Sequence, residues 1–124
     1  ATSKYITKKV TLKEGFDADS LRVIIAKNLP AGSSVKVFYR VQSDVDNSDF
    51  ESLPFIEMTK ITEDVVNQNI TEYYDCEYKA DNITYTAEES AFEEFRYFQI
   101  KLVFFATNTA KAPTVKNLRA IALS

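Results

Sequence analysis

The side chains that could bind a ligand or a metal lie in two short stretches of this sequence. The first is an acidic segment at residues 44–51, where Asp44, Asp46 and Asp49 place carboxylates close together along the chain. Clustered oxygen atoms suit a hard cation such as calcium, so these aspartates are the candidate metal ligands. However, the sharp-turn position has no Gly, and Phe55 occupies the twelfth position, where a calcium loop needs a bidentate Glu. A solvated surface loop is the alternative interpretation.

The second stretch is aromatic. Tyr73, Tyr74 and Tyr78 lie close together along the chain and are the candidate ligand-binding residues. Aromatic rings stack on the apolar faces of sugars, so this group is a candidate glycan site. The chain has no Trp, which offers the widest stacking face. Tyrosines in a β-sheet also pack against neighbouring strands, and that structural role is the alternative.

The composition excludes several classes of enzyme. The 124 residues include no His, and Cys76 is the single Cys. Without His there can be no Ser-His or Cys-His catalytic pair and no histidine-ligated zinc. Cys76 has acidic and aromatic neighbours in sequence, not the cations that activate a thiol. We therefore expect a protein that is not an enzyme, has no catalytic residues and needs no cofactor, with calcium as the one candidate ion.

Charge and hydropathy restrict the partners. The 15 Lys and Arg residues against 18 Asp and Glu residues give a formal net charge of -3. The cations are scattered singly along the chain, so we expect no nucleic-acid partner. No apolar run approaches the ~20 residues that a membrane-spanning helix needs. We therefore expect no membrane span.

The elements that must position these residues are strands, because the dominant periodicity of the sequence is two. In residues 35–42, apolar side chains alternate with a second face that carries Lys36 and Arg40, with Phe38 between them. The same alternation predicts strands at residues 5–12, 21–29, 55–61, 73–79, 98–105 and 118–123. We expect residues 98–105 to pair with residues 118–123 at the centre of the fold.

Two stretches favour short helices. Thr86 and Glu89 match a capping box, in which each side chain bonds the backbone N–H of the other, and an apolar side would follow to Phe95. Residues 62–71 are ambiguous between helix and strand, since their apolar residues have roughly helical spacing. The chain is thus predicted to be all-β: a two-sheet antiparallel β-sandwich of the jelly-roll, galactose-binding-like type. We expect about seven to eight strands and one or two short helices in a single domain over residues 1–124.

The opening of the chain is similar to a known family. Residues 4–23 read KYITKKVTLKEGFDADSLRV, residues 35–41 read VKVFYRV, and LPFIEM follows the acidic loop at 53–58. These segments resemble a module of large structural proteins in contractile-tailed bacteriophages of marine and cyanobacterial type. Phe55 stands where that family often has Trp, a difference of packing. The ending, FRYFQIKL at 95–102 and APTVKNLRA at 112–120, is similar to discoidin-like jelly rolls of phage tails and cell-surface proteins.

The resemblance implies a non-enzymatic structural or assembly module of a phage virion, associated with the tail or baseplate. It implies production in the host bacterial cytoplasm, and as partners other virion structural proteins or neighbouring domains of its own chain. It carries over no catalytic residue. The chain begins with Ala1, from which we expect a module of a longer protein. The alternative function is a carbohydrate-binding module that recognises cell-surface or environmental glycans.

Overall fold

Antiparallel strands form most of the computed structural model, which describes residues 2–66, 71–107 and 111–124. The strands are β1 (Thr2–Ile6), β2 (Val10–Thr11), β3 (Ser20–Asn28), β4 (Ser33–Gln42), β5 (Ile56–Glu57), β6 (Thr59–Lys60), β7 (Tyr74–Ala80), β8 (Tyr85–Ala87), β9 (Ser90–Phe92), β10 (Tyr97–Ala106) and β11 (Thr114–Leu123). A short 3₁₀ helix lies at Phe50–Ser52. No helix among the described residues is long and apolar enough to cross a membrane.

Two main sheets carry the fold. The first sheet has the order β1-β10-β4-β5, and β2 also pairs with β10. Its centre is a ladder in which β4 and β10 pair along ten residues each, from Tyr97 opposite Gln42 to Ala106 opposite Ser33. The second sheet has the order β11-β3-β7-β6, and β8 and β9 form a separate hairpin. The predicted all-β sandwich of antiparallel sheets is confirmed.

The core lies between the inner faces of the two sheets. The first sheet contributes Val37, Ile100 and Leu102, and the second contributes Val23 and Ile25; all five are at most 1% exposed. They occupy alternate positions of their strands, as the two-residue periodicity requires. Burial of each such side chain stabilises the fold by ~1.5–3 kcal/mol.

The predicted pairing of residues 98–105 with residues 118–123 is wrong. β10 lies inside the first sheet, whereas β11 forms an edge of the second sheet and pairs with β3. Both strands alternate in the same way, and periodicity does not encode which sheet a strand joins. The connection between Ala106 and Thr114 is long enough to cross the roughly 10 Å between packed sheets.

The helix predicted from the capping box is also wrong, because its residues form the β8–β9 hairpin. Glu88 and Glu89 occupy the two-residue turn with φ values of 50° and 70°. Positive φ at both central residues is the pattern of a type I′ turn, whose twist matches the strands that it joins. Across the hairpin, Tyr85 and Phe92 stack with ring centroids 5.0 Å apart. This packing outweighs the local capping signal.

In the ambiguous segment at 62–71, the described residues form no helix. Val66 instead makes an isolated parallel bridge with Leu29. Residues 67–70 of that prediction lie outside the described residues.

The turn of the β8–β9 hairpin predicts a stabilising substitution. Glu89→Gly should raise the free energy of unfolding by about 0.5–1 kcal/mol, because Gly adopts positive φ without the steric cost of a Cβ atom. Urea denaturation measures the change. The matched control is Glu94→Gly. Glu94 is exposed and does not have a positive φ, so this substitution should not raise the free energy of unfolding. Equal effects of the two substitutions would show that the turn is not left-handed.

Candidate functional site

The three candidate tyrosines do not share an exposed surface. Tyr78 is 2% exposed and belongs to the core. Tyr74 is half-buried and packs against that core. Tyr73 is half-buried elsewhere, where its hydroxyl lies 3.0 Å from that of Thr114 and the Nζ of Lys116 lies 4.2 Å from its ring centroid. A sugar-stacking platform needs adjacent open ring faces, and Tyr78 offers none.

Tyr78 and Tyr74 instead surround a buried cation. Lys27 is fully buried, and its Nζ donates hydrogen bonds to Asp64 Oδ1 and to the Tyr78 hydroxyl, each at 2.7 Å. Lys60 Nζ donates to Asp64 Oδ2 at 2.6 Å. Burial alone would raise the pKa of Asp64, but the hydrogen bonds from the two lysines outweigh it and lower the pKa below its usual value. Lys27 therefore keeps a charged partner inside the sandwich.

The same environment keeps the tyrosines protonated. Burial raises the pKa of Tyr74 to about 12. It raises the pKa of Tyr78 further, with Cys76 and Asp64 adding to the effect. Both phenols therefore stay protonated near neutral pH, and the neutral Tyr78 hydroxyl accepts the hydrogen bond from Lys27.

The candidate metal ligands are used by the acidic loop itself. Asp46 Oδ1 accepts hydrogen bonds from the backbone N–H and the hydroxyl of Ser48, and its Oδ2 accepts one from the Tyr85 hydroxyl at 2.9 Å. Burial would raise the pKa of Asp46, and these hydrogen bonds more than offset it, so the pKa is lowered. Asp49 accepts from the Glu51 N–H and caps the 3₁₀ helix.

Asp44 is exposed and does not complete a metal site with these two carboxylates. In the described parts of the chain, no three His, Cys, Asp or Glu side chains come together to hold a metal ion. In a calcium loop the oxygens point towards one centre. In this loop the carboxylate oxygens accept hydrogen bonds from the loop itself and from Tyr85. The carboxylates of Asp44, Asp46 and Asp49 therefore form no calcium cage in this structure.

The most unusual constellation is on the outer face of the first sheet. There cationic side chains alternate in space with aromatic rings, in the order Tyr97, Lys9, Phe50, Arg40, Phe55, Lys101 and Phe38. Each of the six cation-to-centroid distances lies between 4.2 and 5.0 Å. These distances are within the range of cation–π attraction. We call these seven residues, together with the exposed Lys36 of the same face, the basic aromatic face.

Arg40 is the centre of this face. It is 9% exposed, and its guanidinium lies between Phe50 and Phe55. One terminal nitrogen donates to the carbonyls of Glu51 and Leu53, and the other donates to Gln99 Oε1. Burial lowers the pKa of Arg40, and the nearby Glu51 and Asp49 carboxylates partly offset this. The guanidinium therefore fastens the loop at residues 50–55 to the sheet.

Among the described residues, most cations on the outer face of the second sheet have carboxylate partners, and Lys116, beside Tyr73, is the exception among them. On the second sheet, Arg22 and Lys79 lie 2.6 and 3.8 Å from carboxylate oxygens of Asp81, and Arg119 lies 4.0 Å from Asp75. In the described residues, no ion pair holds Lys9, Lys36, Arg40 or Lys101 of the basic aromatic face. Ring quadrupoles orient these cations without neutralising them. The face can therefore attract anionic groups.

Sequence reasoning predicted only part of this face. Alternation placed Lys36, Phe38 and Arg40 on one side of their strand, and an aromatic residue among outward cations was the available signal. Phe50 lies in the 3₁₀ helix, and Lys9 and Phe55 lie just outside strands although the predicted strands at 5–12 and 55–61 include them. Periodicity therefore did not predict where these three side chains point. No protein-family model, curated protein or solved structure matches this chain.

The buried Lys27 predicts an asymmetry between two substitutions. Asp64→Ala should lower the free energy of unfolding by about 2–3 kcal/mol, below the 3–5 of a fully buried pair because Asp64 is partly exposed. Lys27→Met should change it by less than about 1 kcal/mol, because it removes the charge and keeps the volume. Urea denaturation at pH 7 measures both, with the exposed Asp75→Ala as control.

The same pair predicts a pH dependence. The pKa of Asp64 is lowered in the folded state, so its stabilising effect is complete above the unfolded value of about 3.9 and is lost as pH falls through the lower folded value. The stability difference between the parent and Asp64→Ala should therefore shrink below pH ~4. A difference that stays constant down to pH 2 would show that Asp64 does not act through its charge.

Arg40 predicts a penalty for a substitution that keeps the charge. Arg40→Lys should lower the free energy of unfolding by about 1–3 kcal/mol, because an ammonium cannot reach the Glu51, Leu53 and Gln99 oxygens together. Lys101→Met on the same face should cost less than about 1 kcal/mol, the range of an exposed cation–π contact. Equal stability of Arg40→Lys and the parent would mean that the guanidinium does not hold the loop.

Proposed function

We propose that this chain is a non-enzymatic structural module of a phage tail or baseplate, which docks through its basic aromatic face on an acidic surface of a neighbouring virion protein. One observation carries the proposal: in the described residues, Lys9 and Lys101 of this face contact rings and form no ion pair, whereas Arg22, Lys79 and Arg119 of the other outer face lie beside carboxylates. Carboxylates of a partner can therefore form ion pairs with the cations of this face on docking.

The construction of the face favours a stable interface. Phe50 and Phe55 hold Arg40 between them, so little side-chain entropy is lost when a partner binds. Aromatic residues and Arg are the side chains that most often dominate the energy of interfaces. The ladder of β4 and β10 provides a rigid base under the face. Such a surface suits a module that works by complementarity.

Charge also orients the module. The chain carries a net charge of -3, yet this one face presents three accessible cations, Lys9, Lys36 and Lys101. An acidic partner is attracted to this face and repelled by the acidic remainder of the surface. The family resemblance of residues 4–23 and 35–41 indicates a virion protein as that partner.

Lysine footprinting of assembled particles tests the proposal. Purified virions of a phage that encodes the chain, and the isolated 124-residue chain, are treated with an acetylating reagent and examined by mass spectrometry. Acetylation of Lys36 and Lys101 should be slower in the particle by about tenfold or more, because an interface of standard size excludes the reagent. Lys79 and Lys116 on the second sheet should react equally in both samples. Absence of the chain from virions, or equal reactivity of Lys36 and Lys101, would overturn the proposal.

Charge reversal supplies the matched test of function. Lys36→Glu combined with Lys101→Glu should strongly reduce incorporation into particles, because the acidic partner then meets like charge. The control variant is Lys79→Glu combined with Lys116→Glu, which makes the same change of charge on the second sheet and should be incorporated normally. Normal incorporation of the Lys36 and Lys101 double variant would contradict docking through the basic aromatic face.

A further inference from the structure

A groove opens between the β4–β5 edge of the first sheet and the β8–β9 hairpin. Its volume is about 250 Å³. The lining residues are Tyr39, Val41, Leu53, Pro54, Ile56, Thr84, Tyr85 and Thr86. The walls are thus apolar on the sheet side and carry hydroxyl groups on the hairpin side. No charged side chain is among these residues.

The hydroxyl of Tyr39 is the distinctive group of this groove. Tyr39 is 7% exposed, yet its hydroxyl forms no hydrogen bond with any described residue. Other buried phenols in the chain are satisfied: Tyr78 pairs with Lys27, and Tyr85 donates to Asp46. Among the described residues only Arg40 Nε is a fully buried side-chain polar atom without a partner, so solvent reaches the Tyr39 hydroxyl. A phenol that lines the groove, has no protein partner and is open to solvent can donate its hydrogen bond to a ligand. Burial also raises the pKa of Tyr39, which keeps its proton available for donation.

Tyr85 supplies a fixed aromatic wall. Its ring stacks on Phe92, with ring centroids 5.0 Å apart. Its hydroxyl accepts from the Ser43 N–H at 2.6 Å and donates to Asp46. These contacts hold the ring in place before any ligand arrives, which lowers the entropic cost of binding. The acidic loop thus has a positioning role for this groove.

We propose that this groove binds a single neutral sugar ring. A pyranose offers an apolar C–H face for Tyr85, Leu53 and Ile56, and hydroxyls for Tyr39, Thr84 and Thr86. A charged sugar would find no counter-charge, and a purely apolar ligand would leave the Tyr39 hydroxyl desolvated and unpaired. The volume is just below the ~300 Å³ at which drug-sized sites begin, which favours one ring over an extended glycan. This site does not include the sequence candidates Tyr73, Tyr74 and Tyr78, and it does not depend on docking through the basic aromatic face.

Titration followed by amide chemical shifts in ¹H–¹⁵N NMR spectra tests the proposal. The probes are methyl glucopyranoside and methyl galactopyranoside, with methyl glucuronide as the charged counterpart and cyclohexanol as the mainly apolar one. At least one neutral glycoside should shift the signals of Thr84, Tyr85 and Thr86 and bind more tightly than the other two probes. The proposal is overturned if neither neutral glycoside shifts these signals, or if the glucuronide or cyclohexanol binds as well.

Single hydroxyl deletions identify the contact. Tyr39→Phe should weaken binding of the neutral glycoside by about three- to tenfold, the effect of one hydrogen bond. Tyr73→Phe is the matched control, since that hydroxyl lies beside Thr114 outside the groove, and its affinity should equal that of the parent. Thr86→Val, at an exposed position, gives a second test if Tyr39→Phe is unstable, and should also weaken binding. Unchanged affinity in both groove variants would overturn the assignment.

Discussion

The ladder between β4 and β10 is the constraint on which the rest of the structure depends. Its ten residue pairs fix which side chains of both strands face inward, because successive residues of a strand point to opposite faces. Tyr39 therefore reaches the interior, and its neighbour Arg40 reaches the outer face. A slip of one residue would exchange these faces and bury a row of cations. The core, the basic aromatic face and the groove are thus set by a single register.

Buried cations fix the positions of segments that lie outside the long strands. Arg40 holds the carbonyls of Glu51 and Leu53, and Lys27 holds the carboxylate of Asp64, which lies outside the regular strands. A buried charge is costly unless it is paired, so each cation requires its loop to occupy one position. These interactions contribute little net stability compared with an apolar core, and they exclude alternative loop conformations. The loop at residues 50–55, which contributes to both proposed sites, is held by Arg40.

Sequence periodicity predicts the long strands but does not predict how they pair within the two sheets. β3, β4, β7 and β10 were predictable because each alternates clearly, and the inward set of each agrees with the core. The placement of β11 beside β3 was not predictable, since pairing between distant strands leaves no local pattern. The β8–β9 turn was missed because Glu88 and Glu89 are not the Asn and Gly residues that usually mark it. The sequence does not reveal that Tyr78 is a core residue paired with Lys27, because the two lie 51 positions apart. The Tyr39 hydroxyl could not be found from sequence at all, because an unfilled hydrogen bond is a property of three-dimensional surroundings.

The two proposed sites share one short segment of chain, residues 53–56. Phe55 stacks on Arg40 on the outer face, whereas Leu53, Pro54 and Ile56 line the groove. One stretch of four residues therefore contributes to both surfaces. The backbone that carries Phe55 on the outer face is thus continuous with the backbone of the groove wall. Arg40 holds this backbone through the carbonyls of Glu51 and Leu53, so one buried guanidinium fixes the wall of the groove and the aromatic ring of the outer face together.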